Sequence, residues 1–144
     1  MAGLGIRLEA GDRMILNGAG IHFLTAAQIR LTNRANFLFG RQIMPPEEAT
    51  SPARLIYYAL QTAYVGTPEE KMTALAEATY HITTFMQETT SVSARLILSE
   101  AMKAASGGNF YQALKIARRI IRHEDAVIGQ ATVAPDGPNE SEAG

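Results

Sequence analysis

The segment 43–54 constrains this chain most, because it separates a half that alternates like β-strand from a half that repeats like α-helix. Pro45 and Pro46 lack the N–H that a sheet ladder needs and favour extended backbone before them, so the last strand must end near Met44. Ser51 can accept from the first N–H groups of a helix, and Pro52 suits the first helical position. The fold therefore changes from strands to helices within this segment.

Residues 1–44 show short alternating runs separated by turn residues, which is typical of half-buried strands. Asn17-Gly18 is the strongest turn signal, since both central positions of a type I′ turn need positive φ. Five antiparallel strands are predicted, with their apolar positions at Ile6/Leu8, Met14/Leu16, Ile21/Phe23, Ile29/Leu31 and Phe37–Phe39.

The other face of these strands is polar, as expected of a sheet with one face in solvent. Arg7 and Glu9 alternate with the apolar residues of the first strand, and Arg30 does so in the fourth. We expect Arg7 and Arg30 to share a solvent-facing surface, which Arg41 can also join.

Four helices are predicted in the second half. The first runs from Pro52 to about Val65, and the second opens with a Thr67–Glu70 capping box. The third covers about 92–106 and ends at two glycines; the fourth runs from an Asn109 cap to about residue 129. The expected buried positions are Ala53, Ile56, Leu60 and Ala63; Met72, Leu75, Thr79, Ile82 and Met86; Ala94, Leu98, Ala101 and Ala105; and Phe110, Leu114, Ala117, Ile120, Ile121 and Ile128.

The pattern predicts an α+β fold: a five-stranded antiparallel β lobe over 1–44, a proline-rich hinge over 45–51 and a bundle of about four helices over 52–129. An acidic tail over 130–144 has too little apolar surface to offset the entropy of ordering and is expected to be disordered.

Charge is segregated along a chain whose net charge is −1. Residues 1–44 carry five bases against two acids (+3), and 45–100 carry three against seven (−4). Residues 101–123 hold five bases and no acid (+5), while 124–144 hold five acids and no base (−5). Such blocks can present a basic surface for nucleic acid, although charge alone favours the interpretation that they are ordinary solvated faces.

The basic block coincides with the fourth helix. At 100° per residue its cations fall within one sector, which is expected to be exposed, with Tyr111 at the edge. The members of this sector are Lys115, Arg118, Arg119 and Arg122.

No catalytic, metal or cofactor pattern is found, so an enzyme is not expected. His22, His81 and His123 lie far apart in sequence and lack metal-ligand spacing. The acid pairs, among them Glu124-Asp125, are adjacent residues whose side chains are expected to diverge. With no cysteine, no secretory signal and no membrane-spanning run, the chain is expected to be cytoplasmic and to have no membrane contact.

Several runs resemble the flagellum biosynthesis repressor family, FlbT, over about residues 4–129. They are 11–18, 43–45 with 49–57, 110–118, and Glu124-Asp125 ahead of Gly129. The resemblance implies a regulator that acts after transcription, associates with the 5′ untranslated leader of flagellin mRNA, alters its translation or lifetime, and works with a partner called FlaF.

A second similarity covers the β half alone. Residues 11–16, 28–31 and 40–43 resemble, in order and spacing, strands of the carbon-storage regulator family, CsrA, which binds mRNA leaders. The resemblance implies an RNA contact for Arg41. The pattern departs at Leu8-Glu9, where that family has paired arginines.

Two hypotheses follow. In the first, the chain is a non-enzymatic RNA-binding regulator whose contacts are Arg7, Arg30, Arg41, Lys115, Arg118, Arg119 and Arg122. In the second, it is an adaptor that docks a helical protein, FlaF-like or flagellin, through Tyr57, Gln61 and Tyr64, because aromatic residues are enriched at interface centres. For each tyrosine taken alone, a position at the edge of the core with a solvated hydroxyl is the favoured interpretation. A lobe rich in strand edges can also pair with another copy, so a homo-oligomer is a further expectation.

Overall fold

A computed structural model describes residues 3–128 and confirms the α+β fold. The strands are β1 (Leu4–Leu8), β2 (Arg13–Leu16), β3 (Ala19–His22), β4 (Ala27–Leu31) and β5 (Phe37–Phe39). The helices are α1 (Pro52–Val65), α2 (Pro68–Glu88), α3 (Val92–Ser106) and α4 (Phe110–Ile128), and 3₁₀ turns cover Gly40–Gln42 and Pro46–Glu48. The acidic tail predicted for 130–144 lies outside the described residues. None of the helices within 3–128 combines the length and apolarity needed to cross a bilayer.

The five strands form two antiparallel sheets. β1 pairs with β4, while β2 lies between β3 and β5. The turn at Gly11 therefore carries the chain from one sheet into the other, a separation that the alternation pattern does not reveal.

The β2–β3 hairpin has the predicted turn. Asn17 has φ 49° and Gly18 has φ 88°, which confirms positive φ at both central positions. The position of a Cβ on Gly18 would lie 3.1 Å from the Thr67 backbone nitrogen, so the hairpin tip packs closely against the start of α2. This contact packs the β half against the helical half.

We expect Gly18→Ala to destabilise the protein, because positive φ costs an L residue roughly 1–2 kcal/mol and the methyl group must also displace Thr67. Gly11→Ala is the matched control, since Gly11 has φ +90° but no atom within 4 Å of a Cβ there. Urea unfolding of both variants measures the difference; equal losses would show that the contact with Thr67 contributes nothing.

The predicted starts of α1 and α2 are confirmed. Ser51 accepts from the Arg54 N–H at 3.3 Å, and Pro52 occupies the first position of α1. In α2, Thr67 and Glu70 form a reciprocal capping box at 3.3 and 2.8 Å. Each of these two helix starts depends on residues three positions apart in sequence, so the sequence pattern alone can identify it.

The buried faces are confirmed for α1 and α3, and partly wrong for α2 and α4. All four positions expected in each of α1 and α3 are buried. In α2 the buried residues are Ala74, Ala78 and Ile82, whereas Met72 is 80% exposed. Ile128 of α4 is 53% exposed. The small side chains of Ala74 and Ala78 allow α2 to approach its neighbours closely. A prediction that looks for large apolar residues does not identify this buried face.

Two apolar clusters meet at β5. Ile6, Leu8 and Met14 form the smaller cluster between the sheets, with Phe37 and Phe39 packed against it. Leu38, on the opposite face of β5, packs in the helical core. Met44 belongs to the helical core as well, although the predicted boundary at residue 44 places it in the β lobe. The lobe boundaries stay a prediction.

A buried ion cluster joins α1 to α4. The Arg54 guanidinium donates to both carboxylate oxygens of Asp125, at 3.0 and 3.2 Å, and lies 3.5 Å from Glu124. Glu124 also accepts from the Ser51 hydroxyl at 2.5 Å and from the Ala53 N–H at 3.1 Å, at the N-terminus of α1. The prediction that Glu124 and Asp125 diverge is therefore wrong: both carboxylates reach Arg54. Hydrogen bonding to Asp125 raises the Arg54 pKa and keeps the guanidinium charged.

Candidate functional site

A cleft of about 500 Å³ opens where β1 and β5 meet the end of α1 and the start of α4. Its walls combine aliphatic, aromatic and polar side chains and one cation. The lining residues are Leu4, Gly5, Ile6, Arg7, Phe37, Phe39, Gln42, Tyr64 and Tyr111. The volume falls within the roughly 300–1,000 Å³ range of ligand pockets.

Two tyrosines form one wall of the cleft. The rings of Tyr64 and Tyr111 are 5.5 Å apart between centroids and tilted by 51°. Lys115, one turn further along α4, places its Nζ 5.8 Å from the centre of the Tyr111 ring, within cation–π range. Aromatic surface and positive charge are therefore adjacent at the mouth of the cleft.

Tyr64 is the more enclosed ring. Burial raises its pKa above the ordinary 10.0, and the neighbouring Tyr111 adds to this, while a backbone hydrogen bond from Phe37 acts in the opposite direction. The Tyr64 carbonyl accepts from the Asn36 side chain at 3.1 Å, which ties the end of α1 to the loop before β5. This wall of the cleft is thus held by both halves of the fold.

We expect the protein to lose stability as the pH rises above 10. The folded-state pKa of Tyr64 is raised, so above the unfolded value the unfolded chain releases a proton that the folded protein still holds. Stability is fully present below pH 10 and declines as the pH rises through the folded pKa. Denaturant unfolding between pH 8 and 11 measures the decline; a Tyr64→Phe variant with an equally steep decline would contradict this assignment.

Arg7 and Arg30 lie on the same exposed face of the β1–β4 sheet, as expected. Gly5 pairs with Arg30 and Arg7 pairs with Gln28, so the two arginines are diagonal neighbours. Arg7 lies 3.5 Å from Glu9, but both side chains are about 70% exposed, and such pairs contribute about 0–1 kcal/mol. Within residues 3–128 no carboxylate pairs with Arg30. Arg41 is exposed in the turn Gly40–Gln42 that follows β5, a strand of the other sheet.

The exposed stripe of α4 contains Tyr111, Lys115, Arg119 and Arg122, with Lys115 half-buried. Arg119 reaches Glu100 of α3 at 3.1 Å, with both side chains about half exposed. The expected exposure of Arg118 is wrong, since it is 6% exposed. α4 packs against both α1 and α3. A smaller part of its circumference is therefore exposed to solvent than in a helix that buries a single apolar stripe.

Two of the three residues predicted to bind a partner are buried. The Tyr57 side chain is fully buried and its hydroxyl donates to the Gln42 carbonyl at 2.6 Å. Gln61 is 4% exposed and bonds the N–H and the C=O of Met44, at 2.8 and 3.1 Å. The expectation that they lie on a docking face is therefore wrong, and only Tyr64 reaches the cleft.

Phe37 and Gln42 line the cleft without having been predicted as site residues. The sequence around Phe37 is that of an ordinary strand, and the sequence around Gln42 is that of a turn. No local sequence signal therefore identifies either residue as part of a site. Within the described chain, no group of three or more His, Asp or Glu side chains could hold a metal ion.

Comparison with known proteins connects this architecture to one family. The model of the family described as flagellar protein FlbT matches residues 4–128. A relative from Rhizobium etli, named probable flagellum biosynthesis repressor protein FlbT, is 29% identical over 136 residues, covering 92% of this chain and 88% of the relative. A relative from Caulobacter vibrioides, named flagellum biosynthesis repressor protein FlbT, is 28% identical over 138 residues, covering 90% and 92%. No solved structure matches significantly.

Proposed function

The chain belongs to the FlbT family of flagellar proteins, and on this premise we propose that it represses flagellum biosynthesis by binding the 5′ untranslated leader of flagellin mRNA in the cytoplasm. Binding there changes the translation or degradation of the message. The relatives' names support the regulatory role, and the flagellin leader comes from the family resemblance. The protein acts as a binding regulator, without catalysis.

The observation that carries the RNA contact is the cleft, because two basic surfaces meet at it. Arg7 lines the cleft from β1, beside Arg30 on the same sheet face. Tyr111 lines it from α4 and begins the stripe that continues through Lys115 and Arg119 to Arg122. Arg122 lies about 16 Å along the helix from Tyr111, so the stripe spans several phosphates of an extended strand.

Two arginines of this surface pair with carboxylates. Glu9 and Glu100 each pair with one arginine at exposed positions, where water and salt screen the attraction. A phosphate can compete for these arginines, and releasing the counterions of RNA favours the exchange. Besides Arg7 and Arg119, the residues proposed to contact the RNA are Arg30, Arg41, Lys115 and Arg122.

We expect the purified protein, without any partner, to shift a flagellin leader transcript, with affinity falling steeply as salt rises. For single-stranded RNA the slope of log K against log salt is about −0.7 per phosphate contact, so Arg7→Ala with Arg30→Ala makes the slope shallower by about 1.4. Lys71→Ala on α2 is the matched control and leaves the slope unchanged. Gel shifts between 50 and 300 mM salt measure it, and binding that ignores salt would contradict the proposal.

The alternative is an adaptor that docks a helical FlaF-like protein and affects the message indirectly. Burial of Tyr57 and Gln61 removes two of the three side chains on which it depended. An RNase-resistant complex of fixed stoichiometry, formed by a protein that shifts no leader transcript, would favour the adaptor over RNA binding.

A further inference from the structure

We infer that the cleft between Tyr64, Tyr111 and Arg7 holds an unpaired base of the bound RNA, so that the protein selects single-stranded leader segments. This inference rests on the proposed function and goes beyond it. Charge alone attracts paired and unpaired RNA, whereas an aromatic cleft accepts only a base that has left its helix.

Tyr64 and Tyr111 form a tilted aromatic pair, which is an ordinary geometry for two neighbouring rings. At 5.5 Å and 51°, Tyr64 and Tyr111 are not stacked face to face. Tyr111 is 38% exposed at the start of α4, while Tyr64 lies deeper. Tyr111 is therefore partly exposed beside the cleft, and every base offers a flat π-surface that can stack on an aromatic side chain there.

Charge on both rims selects an anionic ligand. Arg7 lines the β1 side of the cleft, and Lys115 lies over Tyr111 on the α4 side. Among residues 3–128, no carboxylate lines the cleft and none pairs with Lys115. A nucleotide combines an aromatic ring with a flanking phosphate on either side, which matches an aromatic wall between two cations.

The absence of tryptophan from the chain allows a direct optical test. Tyr111→Trp keeps an aromatic ring at the cleft and supplies the protein's own fluorescence reporter. We expect a single-stranded leader oligonucleotide to quench this fluorescence, and a duplex of the same sequence to leave it unchanged. Tyr80→Trp is the matched control: Tyr80 is 66% exposed on α2, which contributes no described residue to the cleft, and no quenching is expected there.

Affinity measurements separate this inference from the proposed function. We expect Tyr111→Ala to weaken leader binding about tenfold, and Tyr111→Phe to retain it. Tyr111→Leu keeps apolar bulk, and should lose affinity as Tyr111→Ala does; circular dichroism checks that each variant is folded. Wild-type protein that binds no leader at any salt would overturn the proposed function together with this inference. Wild-type binding that Tyr111→Ala and Tyr111→Leu both match, or quenching by duplex as strong as by single strand, would overturn this inference alone.

Discussion

Replacing Arg54 by methionine is expected to lower the free energy of unfolding by about 3–5 kcal/mol, because it leaves two buried carboxylates without their shared cation. Glu124 and Asp125 are adjacent and both less than a tenth exposed, so their repulsion adds to the cost of burial. Methionine retains much of the apolar contact of the arginine stem. Urea unfolding should show a lower midpoint with an unchanged slope, since the surface exposed on unfolding stays the same.

Arg34→Met is the matched control for this substitution. Arg34 is exposed in the loop before β5, and its loss should change stability by less than about 0.5 kcal/mol. Combining Arg54→Met with Asp125→Leu and Glu124→Gln removes the uncompensated charges, and should recover part of the lost stability. A single Arg54→Met variant as stable as the wild type would contradict the role assigned to the cluster.

Replacing Gln61 by leucine is expected to cost about 1–3 kcal/mol for each of two backbone groups that it leaves unsatisfied. The Gln61 amide accepts from the Met44 N–H and donates to the Met44 C=O, as a neighbouring strand would. It thereby holds the chain where the prolines prevent a sheet ladder from continuing. The loss should be measurable as a lower urea midpoint and faster amide exchange at Met44.

Gln61→Glu separates the two bonds, because a carboxylate keeps the acceptor and loses the donor. We expect it to be at least as destabilised as Gln61→Leu at neutral pH, because it also buries an unpaired charge against the Met44 carbonyl oxygen. Gln87→Leu, at an exposed position of α2, controls for the change in residue type and should be nearly neutral. A Gln61→Leu loss no larger than that of Gln87→Leu would show that Met44 finds other partners.

The sequence predicted the features that depend on near neighbours. The Asn17-Gly18 turn, the Ser51 cap and the Thr67–Glu70 capping box all form as expected, since each depends on residues within a few positions of one another. Alternation located the five strands, but it could not pair them, because pairing depends on which strand edges meet in space.

The sequence predicted less of the candidate RNA-binding site, because that site combines residues that are distant in sequence. Sequence placed Arg7 and Arg30 on one exposed face, which the β1–β4 register reproduces. It could not identify Arg118 as buried, because that depends on α4 contacting both α1 and α3. Nor could it bring Tyr64 and Tyr111 together, since they lie 47 positions apart and meet only when α1 packs on α4.

By itself, the sequence determined that five strands precede four helices, the antiparallel character of the first half and the presence of basic blocks, because backbone preference and charge belong to the residues themselves. Tertiary structure alone decided that Arg54 meets Glu124 and Asp125 and that a cleft forms between the sheet and α4. Both features form where segments distant in sequence pack together and exclude water. The distances between their side chains therefore depend on how the helices and strands pack.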